Sequence, residues 1–321
     1  MGREEQIINE RLRKIKELRE KGINPYPHKF DKKETCLECS KSKVGKKVKT
    51  AGRVMTKRDI GKIIFSELQD DTGRIQVVFQ EGKTGNKVKE FFKKYVDSGD
   101  FIGVEGKIFK TKTKQISILA DKIEILSKAI LPLPEKWHGL QDKEERYRKR
   151  YLDLIMSPEI REVFVKRAKI IDVLRRLLKE KGFLEVETPA LQNVYGGASA
   201  TPFITHLNAL DINLFLSISP ELYLKRLIVG GYDKVFTIAR NFRNEGIDFQ
   251  HNPEFTMMEY YIAYKDYEYH MEFTEEFFKQ IIKEMKLPEK IDYRGKKIDL
   301  KPPFKRIKFR DLVLKETKID I

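Results

Sequence analysis

Between residues 242 and 261 the chain reads Phe242-Arg243-Asn244-Glu245-Gly246, a short polar loop, then His251-Asn252-Pro253-Glu254-Phe255-Thr256-Met257-Met258-Glu259, with Tyr260 and Tyr261 beyond. Aromatic and β-branched residues flank the loop on both sides, so the segment reads as a long antiparallel hairpin. Side chains two apart on a strand share a face. Arg243, Glu245, Glu259 and Tyr261 would therefore lie together if the register allows. A planar guanidinium takes a carboxylate or phosphate through two parallel hydrogen bonds, and a lysine cannot. An arginine among carboxylates on a sheet face costs desolvation and stabilises little unless a charged ligand completes the set. The same four residues could instead satisfy one another as an ion-pair network on a solvated face.

Such a hairpin needs a domain to hold it. Strands are expected near 203–207, 212–218, 234–242 and 255–263, with helices near 220–229 and 267–286, which is an α+β pattern built on an antiparallel sheet. Ahead of these, Ser157 caps a helix that has Pro158 at its first position. Ile160, Val163, Phe164, Ala168, Ile171, Leu174 and Leu178 mark one stripe expected to be buried, and Gly182 ends the helix. The earlier part of the chain has a different period. Val48–Met55, Ile63–Leu68, Ile75–Phe79, Phe101–Phe109 and Ile116–Ile125 read as five short strands, with turn chemistry at Asp71-Thr72-Gly73 and a helix over Asn86–Tyr95. Five strands with one helix between the third and fourth is the order of an OB-fold, a five-stranded β-barrel that reads oligonucleotides on its second and third strands; another small barrel would fit the period as well. Residues 4–21 form an amphipathic helix, and the two prolines of INPYPHKF make an extended arm or linker. The divisions expected are 1–47 for helix and basic arm, 48–127 for the barrel, 128–156 for a linker and 157–321 for the α+β domain.

Composition narrows the class. The 321 residues are enough for two domains, and 40% hydrophobic content fits a globular chain. No apolar run is long enough to span a bilayer, and the charged first ten residues are no secretory signal, so a cytoplasmic protein is expected. Cys36 and Cys39 stand alone in the string CLEC; a structural zinc normally takes four ligands, so two reduced thiols in a basic loop are expected instead. The net charge is +16, and Lys41–Arg58 holds eight basic residues and no acidic one. A block of that kind either binds polyanions in a salt-dependent way or serves as a solvated basic surface.

The hairpin string resembles the second motif of class II aminoacyl-tRNA synthetases, and Lys181-Gly182-Phe183-Leu184-Glu185-Val186-Glu187-Thr188-Pro189 resembles the first. Within that class the chain is most similar to lysine–tRNA ligases. Trp137-His138-Gly139-Leu140-Gln141-Asp142, the run from Arg146 to Leu154, Gly196-Gly197-Ala198, Pro202-Phe203-Ile204-Thr205 and Pro220-Glu221-Leu222-Tyr223-Leu224-Lys225 carry that likeness, which extends from about residue 48 to the C-terminus.

The resemblance implies an OB-fold barrel that reads the anticodon of tRNA(Lys), joined to an incomplete class II catalytic domain that activates L-lysine with ATP and Mg2+. It implies that Arg243 is catalytic, clamping the α-phosphate and the lysine carboxylate. Asn244, Glu245, His251, Asn252 and Phe255 would hold ATP with it. Gly197, Glu221, Glu259 and Tyr261 would hold lysine, and Arg58, Phe65 and Gln76 the anticodon. The first motif implies a homodimer. The third motif, with its adenine-sandwiching arginine and the glutamates that hold Mg2+, is expected beyond Ile321. A fragment, one half of a split synthetase completed by a second polypeptide, and a non-catalytic tRNA-binding paralogue are the three readings of that stop. Retention of the Arg243 string favours the first two.

Overall fold

The computed structural model describes residues 2–134, 142–248 and 250–321, so the string Trp137–Gln141 lies outside the described residues. The chain divides into two compact units, Met1–Ser157 and Pro158–Ile321.

The first unit contains α1 (Arg3–Glu20), α2 (Cys36–Lys41), β1 (Lys47–Asp59), β2 (Ile63–Gln69), β3 (Arg74–Gln80), α3 (Asn86–Tyr95), β4 (Phe101–Lys110), β5 (Ile116–Ser127), α4 (Lys143–Arg148) and α5 (Arg150–Met156). The five strands close into a barrel in the order β1-β2-β3-β5-β4, with α3 in the gap between β3 and β4, which is an OB-fold. Alternation explains the closure. Along β2, Ile64, Ser66 and Leu68 are buried while Ile63, Phe65 and Glu67 face outward. Phe92 of α3 joins the barrel core, stacked on Phe79 at 4.1 Å between centroids.

The arm after α1 docks rather than hangs free. Phe30 lies on Gly103 so closely that a Cβ at Gly103 would sit 2.3 Å from the ring. Cys36 and Cys39 are in α2, not in a basic loop. Thr35 accepts from the Glu38 amide, and Glu38 accepts from the Thr35 amide at 2.8 Å, a capping box that turns CLEC into helix. Both thiols belong to the barrel core. Burial pushes their pKa values up, to about 12 for Cys36 and about 11 for Cys39, so neither is a reactive thiolate.

A buried polar knot ties α1 to the barrel. The Lys128 ammonium is fully buried between Asp97 at 2.8 Å and Asp100 at 2.5 Å. Lys14 of α1 reaches Asp97 at 2.6 Å, and Arg11 donates to the Ser98, Ala129 and Leu131 carbonyls.

The basic block also differs from its sequence reading, because much of it is structural. Lys46 pairs with Glu34 at 3.1 Å and Lys49 with Glu105 at 2.9 Å. Arg53 donates to the Gly99 carbonyl and covers the Phe101 ring. The Lys57 ammonium donates to the Phe92, Lys93 and Val96 carbonyls at the end of α3. Burial there drives its pKa down to about 8. The acid-free run is therefore no simple pointer to RNA.

The second unit contains α6 (Pro158–Glu180), β6 (Leu184–Glu185), β7 (Leu191–Gln192), β8 (Ile204–Leu207), β9 (Ile212–Leu216), α7 (Glu221–Val229), β10 (Lys234–Phe242), β11 (Glu254–Ile262), α8 (Tyr267–Met285), β12 (Lys290–Tyr293), β13 (Lys296–Asp299) and α9 (Phe309–Thr317). Strands β10 and β11 pair antiparallel from Lys234↔Ile262 to Phe242↔Glu254, and short β6 adds to β10 in parallel. A second sheet runs β7-β9-β8, and β12 pairs with β13. Even-numbered residues of the main hairpin, Phe236, Ile238, Met258, Tyr260 and Ile262, pack on Leu177 and Leu178 of α6 and on Phe273 and Phe277 of α8. The odd-numbered residues lie on the opposite face of the hairpin, where Val235, Thr237 and Asn241 are buried as well.

The stripe expected along α6 is only half right. Leu178 of it is buried and Ile160, Ile171 and Leu174 are half-buried, whereas Val163 and Phe164 are 58% and 47% exposed and Ala168 is exposed as well; the helix's other buried residues, Val173 and Leu177, lie outside the expected stripe. A helix of 23 residues runs about 35 Å at about 1.5 Å per residue, and it meets the sheet core only from Val173 onward.

Candidate functional site

Odd residues of β10 and β11 share a face across the ladder, since Thr237 opposes Glu259, Val235 opposes Tyr261 and Asn241 opposes Phe255. The Arg243 amide donates to the Pro253 carbonyl at 2.8 Å, which carries the pairing one step past the strand end. Arg243 thus joins Asn241, Phe255, Glu259 and Tyr261 on one side. Its guanidinium lies 5.1 Å from the centroid of the Phe255 ring.

Behind this face stands the segment between β9 and α7. The Phe242 amide donates to the Ser217 carbonyl at 2.8 Å, and the Ser217 hydroxyl donates to Asn241 Oδ1 at 3.0 Å. The Ser219 hydroxyl donates to Glu259 Oε1 at 2.7 Å and accepts from the Glu221 amide at 3.1 Å. Gly197 closes the corner with φ +88, and a Cβ there would lie 2.6 Å from Glu221 Cβ and 2.8 Å from Ser219 Oγ. Only glycine fits both the angle and the space. Glu221 accepts from Lys225 at 2.6 Å, one turn along α7.

Three buried polar atoms on this face lack a hydrogen-bond partner among the described residues: Asn241 Nδ2, Arg243 Nε and Glu259 Oε2. Orphaned buried donors and acceptors are costly and rare in folded proteins. Two donors and one acceptor on one face call for a ligand with an acceptor at one end and a cation at the other. Burial raises the Glu259 carboxyl above the usual range, the Ser219 hydrogen bond opposes it, Glu221 adds to it, and Arg243 and Lys225 pull it back. The Tyr261 phenol is pushed up to about 12, by burial first and then by Glu259 and Glu221.

Of the residues singled out in the sequence, the structure gathers Gly197, Glu221, Arg243, Phe255, Glu259 and Tyr261. It does not bring Glu245 onto the hairpin face, because β10 stops at Phe242 and the chain turns. Glu245 instead accepts from the Thr201 amide at 3.1 Å, and the Asn244 amide donates to the Thr201 carbonyl. His251 and Asn252 are exposed in the loop, with His251 Nδ1 2.8 Å from Asp248. Ser217, Ser219 and Asn241 were missed. Asn241 shares the odd parity of Arg243, a signal that could have found it.

In the barrel, Arg58 pairs directly with Phe65 across β1 and β2, and Glu67 with Gln76 across β2 and β3. Direct partners project to the same side, so Arg58, Phe65, Glu67 and Gln76 share the outer face. Gln76 Oε1 accepts from Ser117 at 2.9 Å, which fixes the amide, and Glu67 is paired with Arg74 at 3.2 Å. Among the described residues no cluster of three or more His, Cys, Asp or Glu is placed to hold a metal ion, and no helix is long and apolar enough to cross a membrane.

Both units match models of known protein families. The model described as tRNA synthetases class II (D, K and N) matches residues 142–320, and that described as OB-fold nucleic acid binding domain matches residues 48–126. The chain belongs to the class II tRNA synthetases of that group. It is 48% identical to the lysine–tRNA ligase of Thermotoga maritima over 97% of its own length, 49% to that of Pelotomaculum thermopropionicum over 99%, and 47% to that of Methanoculleus marisnigri over 97%. The chain spans 64% of the first two of these relatives and 62% of the third.

Proposed function

We propose that the chain serves in the activation of L-lysine by ATP and its transfer to tRNA(Lys), as part of a lysine–tRNA ligase. The observation that carries this reading is the orphaned set on the hairpin face. Arg243 and Asn241 offer hydrogen-bond donors to an anionic or carbonyl oxygen, while Glu259 offers a buried carboxylate oxygen to an ammonium. Lysine has a carboxylate and two ammonium groups, and an acid-lined corner of Glu221, Glu259 and the Gly197 backbone suits it. Arg243, set over Phe255, would hold the carboxylate against the α-phosphate, and Phe255 would stack on adenine. The work is positioning and charge stabilisation, with no protein nucleophile. Asn244, Glu245, His251 and Asn252, which lie apart from the pocket, are proposed to meet ATP from the loop. Mg2+ is proposed to be held by the glutamates of the third motif, as the resemblance implies, along with the rest of the pocket.

Glu221→Gln keeps shape and removes charge. In the complete enzyme it should weaken lysine about 10- to 100-fold, the worth of one charged hydrogen bond, with the KM for ATP unchanged. An unaltered lysine-dependent ATP–pyrophosphate exchange would count against the assignment.

We assign the barrel of residues 48–127 to the anticodon, residues 1–47 and 128–156 to its flanking arm and linker, and residues 157–321 to catalysis. Half-buried Phe65, with Arg58 opposite it and Gln76 on the adjoining strand, forms a platform on which a base would stack for about 1–3 kcal/mol. Phe65→Ala should therefore reduce tRNA affinity about 5- to 150-fold at fixed salt, and equal affinities in a filter-binding titration would remove the barrel from anticodon reading. The exposed Val163, Phe164 and Val165 of α6 favour a homodimer through that helix.

A further inference from the structure

We infer that Ser219 is a positioning residue, holding the Glu259 carboxylate by one oxygen so that the other faces the substrate ammonium. The inference rests on the lysine-site reading above and deepens it. The argument begins with the direction of a proton. Glu221 is the first residue of α7, so its amide has no acceptor within the helix. That amide donates to Ser219 Oγ at 3.1 Å. With one lone pair of the hydroxyl so used, its proton is free to point at the nearest acceptor, Glu259 Oε1 at 2.7 Å.

Space enforces the same geometry. Ser219 is buried, and Gly197 presses on it so closely that even a methyl at Gly197 would strike Oγ at 2.8 Å. The hydroxyl has little room to rotate away. Glu259 is thereby anchored through Oε1, and its buried Oε2 is left without a partner among the described residues. The chain amide–hydroxyl–carboxylate also links the two acidic halves of the pocket, since Glu221 begins where the relay begins.

The groups facing Glu259 are Ser219 and Glu221 before and within α7, Lys225 one turn on, Arg243 beyond β10 and Tyr261 on its own strand. Burial and Glu221 oppose its charge; Ser219, Arg243 and Lys225 favour it. Removing the hydroxyl takes away one stabiliser of the ionised form, so the carboxyl must titrate at higher pH.

The test is a carboxyl 13C titration of the complete enzyme proposed above, carrying labelled glutamate, Glu259 being assigned from Glu259→Gln. Ser219→Ala is expected to raise the Glu259 midpoint by about one pH unit, the effect of losing one hydrogen bond to a charged group. Lysine, added at neutral pH and followed on the same resonance, should bind three- to tenfold more weakly. A loss of packing alone would lower the thermal midpoint without moving this titration. An unmoved Glu259 midpoint in Ser219→Ala overturns the inference. A midpoint that moves as expected while lysine leaves the wild-type resonance untouched sustains the Ser219 assignment and instead defeats the lysine-site reading.

Discussion

Replacing Arg243 with alanine is expected to lower lysyl-adenylate formation by about a thousandfold, at the upper end of what removal of one charge-stabilising donor costs. Its Nε is buried and without a partner among the described residues, and its guanidinium is held over Phe255. On the proposed reading the side chain would need little reorganisation as charge develops on the α-phosphate. Arg243→Lys should recover little, since an ammonium cannot bridge two oxygens in one plane. Single-turnover adenylate formation in the complete enzyme is the measurement. A fall confined to the KM for ATP, with the rate of the chemical step intact, would reassign Arg243 to simple nucleotide binding.

The second large effect concerns stability. Lys128→Met should destabilise the first unit by about 3–5 kcal/mol, because removing one partner leaves charge buried without compensation. Asp100 and Lys128 are both fully enclosed. Burial already pushes the Asp100 carboxyl above its usual range against the pull of the ammonium, so the variant would have to take up a proton or admit water. Lys14→Met removes a cation from the same knot, yet Asp97 there is 19% exposed and keeps Lys128. It should cost clearly less. Urea unfolding of both variants gives the comparison, and equal losses would mean that the knot is no more than surface electrostatics.

Much of this was readable in the residues. The five barrel strands and the hairpin declared themselves by runs of β-branched and aromatic residues, and a strand's period of two sorts its side chains onto faces whatever covers them. The odd-face grouping of Arg243, Glu259 and Tyr261 followed from the same arithmetic. What failed depended on partners distant in sequence. Periodicity marked a stripe on α6 but could not say that only its second half would meet a sheet. A count of eight cations could not show that Lys46 and Lys49 are paired or that Lys57 is enclosed by carbonyls. Continuing the strand through Glu245 overlooked the turn that Asn244 and Gly246 permit. Thr35 and Glu38 stood three apart around the two cysteines, a legible cap that went unread. Ser219 and Asn241 are ordinary residues in a sequence, and only the register of β10 against β11 gives them a place.

The carbonyl cage around Lys57 reaches beyond the helix it closes. When a nucleic acid binds, each cation that meets a phosphate frees a condensed counterion, with a slope of about 0.7 in logarithmic affinity per contact on a single strand. Eight such cations would give a slope near 6. With Lys57 facing inward and Lys46, Lys49 and Arg53 engaged at home, the outward remainder supports only about half of that. If the barrel reads an anticodon as proposed, its discrimination would then survive at ionic strengths that strip a purely electrostatic binder from its RNA, because stacking and base-edge contacts would carry the larger share.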